Sequence, residues 1–82
     1  MTEAVLTTLG YDFLNLGRYD EAIKIFKLNI EEYPFAANPY DSLAEAYLKK
    51  GDKLRAIENY KKALSLDPNF ESSIKALREL EQ

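Results

Sequence analysis

Ser72-Ser73-Ile74-Lys75 has the Ser-x-x-Lys spacing that serves acyl transfer at a serine hydroxyl. That chemistry needs a buried helix start with companion Ser-Asp-Asn and Lys-Thr-Gly elements, and neither tripeptide occurs in this sequence. Ser72 and Ser73 read better as polar residues in the first turn of a helix. Without histidine or cysteine, the chain lacks the commonest general base, thiol nucleophile and transition-metal ligands. Asp20-Glu21 and Glu31-Glu32 are neighbours in sequence. On a helix such neighbours diverge by about 100° and do not share a proton or a metal. Lys49, Lys50, Lys53 and Arg55 form a basic cluster, but with no aromatic platform for stacked bases it is a poor nucleic-acid surface. These residues argue against an enzyme, a cofactor, a metal site and a nucleic-acid partner.

Composition bounds the rest. Eighty-two residues make one small domain, and 46% hydrophobic with 30% charged residues is a globular balance. A net charge of −3 provides no basic field for nucleic acid or an anionic membrane. Met1-Thr2-Glu3 starts the chain without a basic, then apolar, leader. With no cysteine to staple, the expected location is the cytoplasm. No apolar stretch is long enough to span a bilayer, so no membrane partner is expected.

The chain repeats itself at an offset of 34 residues. Leu9, Leu14, Gly17, Ala22, Ile23, Lys27 and Pro34 recur as Leu43, Leu48, Gly51, Ala56, Ile57, Lys61 and Pro68. A fixed period in this range marks stacked units that bury their apolar faces only against one another. Within each unit the apolar spacing is helical. Val5, Leu6, Leu9, Phe13 and Leu16 predict a first helix that Gly17 ends. Ala22, Ile23, Phe26 and Ile30 predict a second helix, opened by Asp20-Glu21 and closed by Pro34. Asn38-Pro39 reads as a cap and first helical residue, leading a third helix through Tyr40, Leu43, Ala44, Tyr47 and Leu48 to Gly51. Asp52 is the expected cap of a fourth helix carrying Ala56, Ile57, Tyr60, Ala63 and Leu64. Asn69 is the expected cap of a fifth, from about Phe70. Glu45/Lys49, Glu58/Lys62 and Glu71/Lys75 are helix-supporting pairs four apart.

On these residues the chain resembles the tetratricopeptide repeat family. Leu6, Leu9, Gly10 and Phe13 match the pattern of its first helix, and Tyr40, Leu43, Ala44 and Tyr47 match it again. Ala56, Tyr60, Ala63 and Pro68 match the second helix completely; Ala22, Phe26 and Pro34 also match, but Asn29 replaces an alanine. The resemblance implies an all-α fold of helix-turn-helix repeats in a short right-handed superhelix of five helices. Residues 1–36 are the first repeat, 37–70 the second and 71–82 a capping helix. In the fifth helix, Arg78 and Glu81 stand where the repeat has Gly10 and Phe13, as suits a cap with one polar side.

The resemblance further implies a protein-interaction scaffold that grips a peptide or a helix in a concave groove. Mapped onto this sequence, the groove residues are Tyr11, Leu14, Asn15, Asn38, Asp41, Glu45, Leu48 and Lys49, with Thr7, Ser72, Lys75 and Glu79 along the same wall. Members that clamp the carboxylate tail of heat-shock chaperones carry Lys, Asn and Arg at set positions. Thr7, Tyr11, Ser42, Ser72 and Ala76 stand there instead, so that ligand is not expected. Residues 22–34 and 37–47 also resemble the repeat tail of some bacterial proteins with a serine-hydrolase domain of the penicillin-recognising or esterase type. The alternative function is therefore a structural accessory, docked in cis on a hydrolase or self-associating as a homodimer. Ile25 and Leu28 would serve it, because they put apolar side chains on a helix face that Asn59 and Lys62 make polar in the second repeat.

Overall fold

Gly17 and Gly51 take positive φ, 77° and 97°, and each turns the chain from one helix of a pair into the next. In the computed structural model, which describes residues 1–82, the helices are α1 (Glu3–Asn15), α2 (Tyr19–Glu32), α3 (Ala37–Lys50), α4 (Lys53–Leu66) and α5 (Glu71–Leu80). Each packs on the next in sequence, and α1 also touches α3. The fold is all-α, and no helix is long and apolar enough to cross a membrane.

Local chemistry explains most of the ends. The Thr2 hydroxyl accepts the Val5 amide at the start of α1, and Asp52 accepts the Arg55 amide at the start of α4 as its sequence position predicted. Two expected caps are corrected. α3 begins at Ala37 with Ala36 as its cap, so Asn38 and Pro39 lie inside the first turn. Proline is tolerated there because first-turn amides have no acceptor within the helix. Asn69 does not cap α5; Phe70 holds that position without a side-chain bond. The Asn69 amide instead donates to Asp67 Oδ1, so the Asp-Pro-Asn turn closes on itself.

The core lies where the helices come together. Phe26, Ala22, Ala44, Ala46, Ala56 and Ala63 are fully buried, joined by Leu6, Leu14, Ile23, Leu43, Tyr47, Tyr60 and Leu77. The small residues set the helix spacing. A methyl group added at Gly10 would run into the ring of Phe26, which is why α1 and α2 approach as closely as they do. Lys27 lies over the Tyr47 ring, 5.9 Å from its centre, and ties α2 to α3.

None of the pairs four apart closes as an ion pair. The ion pairs are Arg18–Glu21, Asp52–Arg55, Asp20–Lys50 and Lys61–Glu81; the last two join different elements. Glu45 turns away from Lys49 towards Tyr11.

Candidate interaction face

α1, α3 and α5 share one face, and polar side chains bridge them at a repeating register. The Asn38 amide donates to the Thr7 hydroxyl across the gap from α3 to α1, at 3.5 Å. One repeat on, Ser72 donates to Asp41 from α5 to α3, at 2.9 Å. A turn further along α1, the Tyr11 hydroxyl donates to Glu45 Oε1 at 3.1 Å. Burial pushes the Tyr11 hydroxyl up to about 12, and the nearby Glu45 and Asp41 carboxylates add to the rise. Tyr60, buried beneath the same face, is raised as well, by burial first and then by Asp41, Glu45, Tyr11 and Glu79.

The groove residues inferred from sequence divide into three groups. Tyr11, Asn38, Glu45 and Leu48 are half-buried and share the face between α1 and α3, while Asn15 and Lys49 are exposed at its rim. Leu14 and Asp41 are corrections. Leu14 is 3% exposed and belongs to the core with Ala22 and Phe26, because the opening between α1 and α2 closes over it. Asp41 is 5% exposed; besides the Ser72 bond, Oδ1 accepts from Ser73 at 2.7 Å. It fastens α5 to α3 from within. Ser72 thus spends its hydroxyl on a carboxylate, with no hydrogen bond to Lys75.

Leu28 is exposed and Ile25 half-buried on the outer side of α2. Leu16, which the helical spacing put on the stripe of the first helix, is its exposed C-cap, and Phe35 and Leu54, also more exposed than Leu28, were passed over by sequence reasoning. All three lie at helix ends or turns, where helical periodicity does not decide burial.

Another link escaped the sequence. Asn29 is fully buried on α2, and its amide donates to the Glu3 carbonyl and the Thr7 hydroxyl. The replaced alanine was the available signal. A polar side chain at a close-packed position needs a partner, and Thr7 faces it from α1.

The model of the tetratricopeptide repeat family matches residues 1–69. The chain belongs to the tetratricopeptide repeat family. Its five helices are two such repeats followed by a further helix, and repeats of this family generally mediate contacts between proteins. A search among curated proteins found no match.

Proposed function

We propose that this tetratricopeptide repeat domain receives a peptide or a helix on the face formed by α1, α3 and α5. Tyr11, Asn15, Asn38, Glu45, Leu48 and Lys49 make the contact. The observation that carries the reading is the Tyr11–Glu45 bond, which joins the two repeats across this face and leaves Asn15 and Lys49 open on either side. Asp41 and Leu14 hold the face up from below. A dodecapeptide selected from a random library against the immobilised domain provides the test. In amide-shift mapping it moves Tyr11, Asn15, Leu48 and Lys49, and Leu48→Asp abolishes its binding. Shifts confined to the outer side of α2 overturn the reading.

That last result would favour the second reading, docking in cis or self-association through Ile25 and Leu28. Leu28, 41% exposed, is the observation behind it, since aliphatic area in water favours burial. Sedimentation equilibrium of wild type against Ile25→Lys/Leu28→Lys separates the two. No chemistry is assigned to the chain. Esterase and β-lactamase turnover should stay at buffer background, and any turnover removed by Ser72→Ala would contradict this.

A further inference from the structure

The first and last helices each leave one side bare, and the two bare sides carry unpaired charges of opposite sign. On α1, Ala4, Val5, Thr8, Leu9 and Asp12 line an open depression. On α5, whose Ser73 and Leu77 are buried, Glu71, Ile74, Lys75 and Arg78 line another of about 440 Å³. Each helix packs on the next in sequence, so these depressions lie at the two ends of the array. Both have an aliphatic centre, Val5 and Leu9 on one and Ile74 on the other. Asp12, Lys75 and Arg78 are exposed, and none of them belongs to an ion pair.

Asp12 is out of place on its own helix. It stands in the last turn of α1, where the helix carbonyls already carry negative partial charge, and that turn holds no basic residue. A carboxylate there gains from a cation brought from outside. The internal repeat points the same way, because Ala46 holds this position in the second repeat and is fully buried. At the other end, Arg78 takes the position of Gly10 and Ala44, the small residues of the closest packing. Each end thus has a charge where the repeat elsewhere packs a small residue, and the two charges are opposite.

We propose that these two sides join head to tail, α5 of one copy of the chain seating on α1 of the next. Charge also fixes the direction. With the two helices parallel, Asp12 meets Arg78, Thr8 and Leu9 meet Ile74 and Lys75, and Glu71 falls beside Val5. This is the sense in which α1 and α3 already run, since Thr7 pairs with Asn38 and Tyr11, further along, with Glu45. The antiparallel arrangement sets Asp12 against Glu71, and like charges oppose it. The contact is heterologous, so each copy that joins leaves a fresh end for another. One helix side on one helix side is a small interface, and the association is weak and salt-sensitive. None of the residues assigned to the groove or to the outer side of α2 takes part.

Sedimentation equilibrium of the whole chain at rising concentration tests the join. The average mass should climb past that of a dimer and fall back as salt is added. Asp12→Lys and Lys75→Glu/Arg78→Glu each reverse one end, and each should weaken association at least about tenfold. Melting temperatures in dilute solution should not move, because all three side chains are exposed. Mixing the two variants in equal amounts should restore association, since each then meets the opposite charge on its partner. The climb in mass should persist in Ile25→Lys/Leu28→Lys, where pairing through α2 is removed. A wild type that stays monomeric throughout, or a mass that stops at the dimer, would overturn the proposal. So would loss of association in the Ile25→Lys/Leu28→Lys protein, or a mixture no more associated than its components. Association removed by Asp12→Lys but not by Lys75→Glu/Arg78→Glu would mean that α1 pairs with itself, and would overturn it too.

Discussion

α1 and α3 occupy the same position in their repeats, yet they differ sharply in burial. In α3, Pro39, Ser42, Leu43 and Ala46 are buried. Their counterparts Val5, Thr8, Leu9 and Asp12, together with Ala4, line an open depression of about 370 Å³ on α1. The difference is one of neighbours, because α3 has α2 behind it and nothing in the structure lies behind this side of α1. At these positions the first repeat has threonine and aspartate where the second has serine and alanine. A repeat therefore does not carry its own burial pattern; its place in the stack sets it. The closest packing shows the same divergence. Gly10 meets Phe26 in the first repeat, whereas Ala44 and Tyr60 stand at those positions in the second.

The largest effect that would sharpen this comparison is loss of the central ring. Phe26→Ala empties a fully buried site and should cost about 3–5 kcal/mol. That is most of the stability available to a domain of this size, so the variant should be unfolded by circular dichroism at room temperature. A smaller loss than that of Tyr60→Ala would show that the second repeat, not the first, carries the core.

Exchanging the small residues comes next. Gly10→Ala should overpack against Phe26, and Ala56→Leu should overpack where the second pair meets, each costing about 1–3 kcal/mol. Ala44→Gly should also destabilise, by about 1 kcal/mol, from the backbone entropy that glycine adds to a helix. Urea midpoints measure all three. A Gly10→Ala protein as stable as wild type would mean that the two repeats are interchangeable at this position.

Alkali should act through Tyr11 and Tyr60. Both hydroxyls have raised folded-state pKa values, chiefly from burial. The folded chain therefore holds these protons more tightly than the unfolded chain does. The associated stability is fully present below pH 10, the ordinary tyrosine value, and is lost as pH rises towards about 12. Melting temperature measured from pH 8 upwards should fall through that window, and Tyr11→Phe should flatten the fall. A flat profile in the wild type would break the assignment.

The smallest effect is at the acid end. Asp20, Glu21 and Asp52 are held below the ordinary carboxyl range by hydrogen bonds from Lys50, Arg18 and Arg55. Lowered values stabilise above the ordinary carboxyl pKa, and the gain is lost as pH falls. These pairs are exposed and screened, so removing Lys50 should shift the acid limb barely above error. A large shift would mark the α2–α3 link as structural.

Much of this molecule was legible in its residues. The period, both glycine turns, the Asp52 cap and the aromatic and alanine positions all follow from spacing alone. What spacing cannot supply is which side of a helix another element covers. Leu14 and Asp41 lie on the same stripe as Tyr11 and Glu45, and only the closure of α2 and α5 over them puts them inside. The caps at Asn38 and Asn69 failed for a local reason. An asparagine before a proline or an aromatic offers a cap, but the turn geometry decides which residue takes it. Asn29 was visible as an irregularity, while its partner Thr7 lies 22 residues away and emerges only in three dimensions.

Asp41 has one more consequence. Arrays of this kind interact only between nearest neighbours, so their ends fray independently of their middles. Here the last helix is bonded through two serine hydroxyls to a carboxylate in the central one, skipping α4. Release of α5 takes both hydroxyl donors from the Asp41 carboxylate at once and uncovers it, so the terminal helix does not open without disturbing α3. In hydrogen exchange, the amides of α5 and α3 should open together as one cooperative unit, and Asp41→Asn should uncouple them.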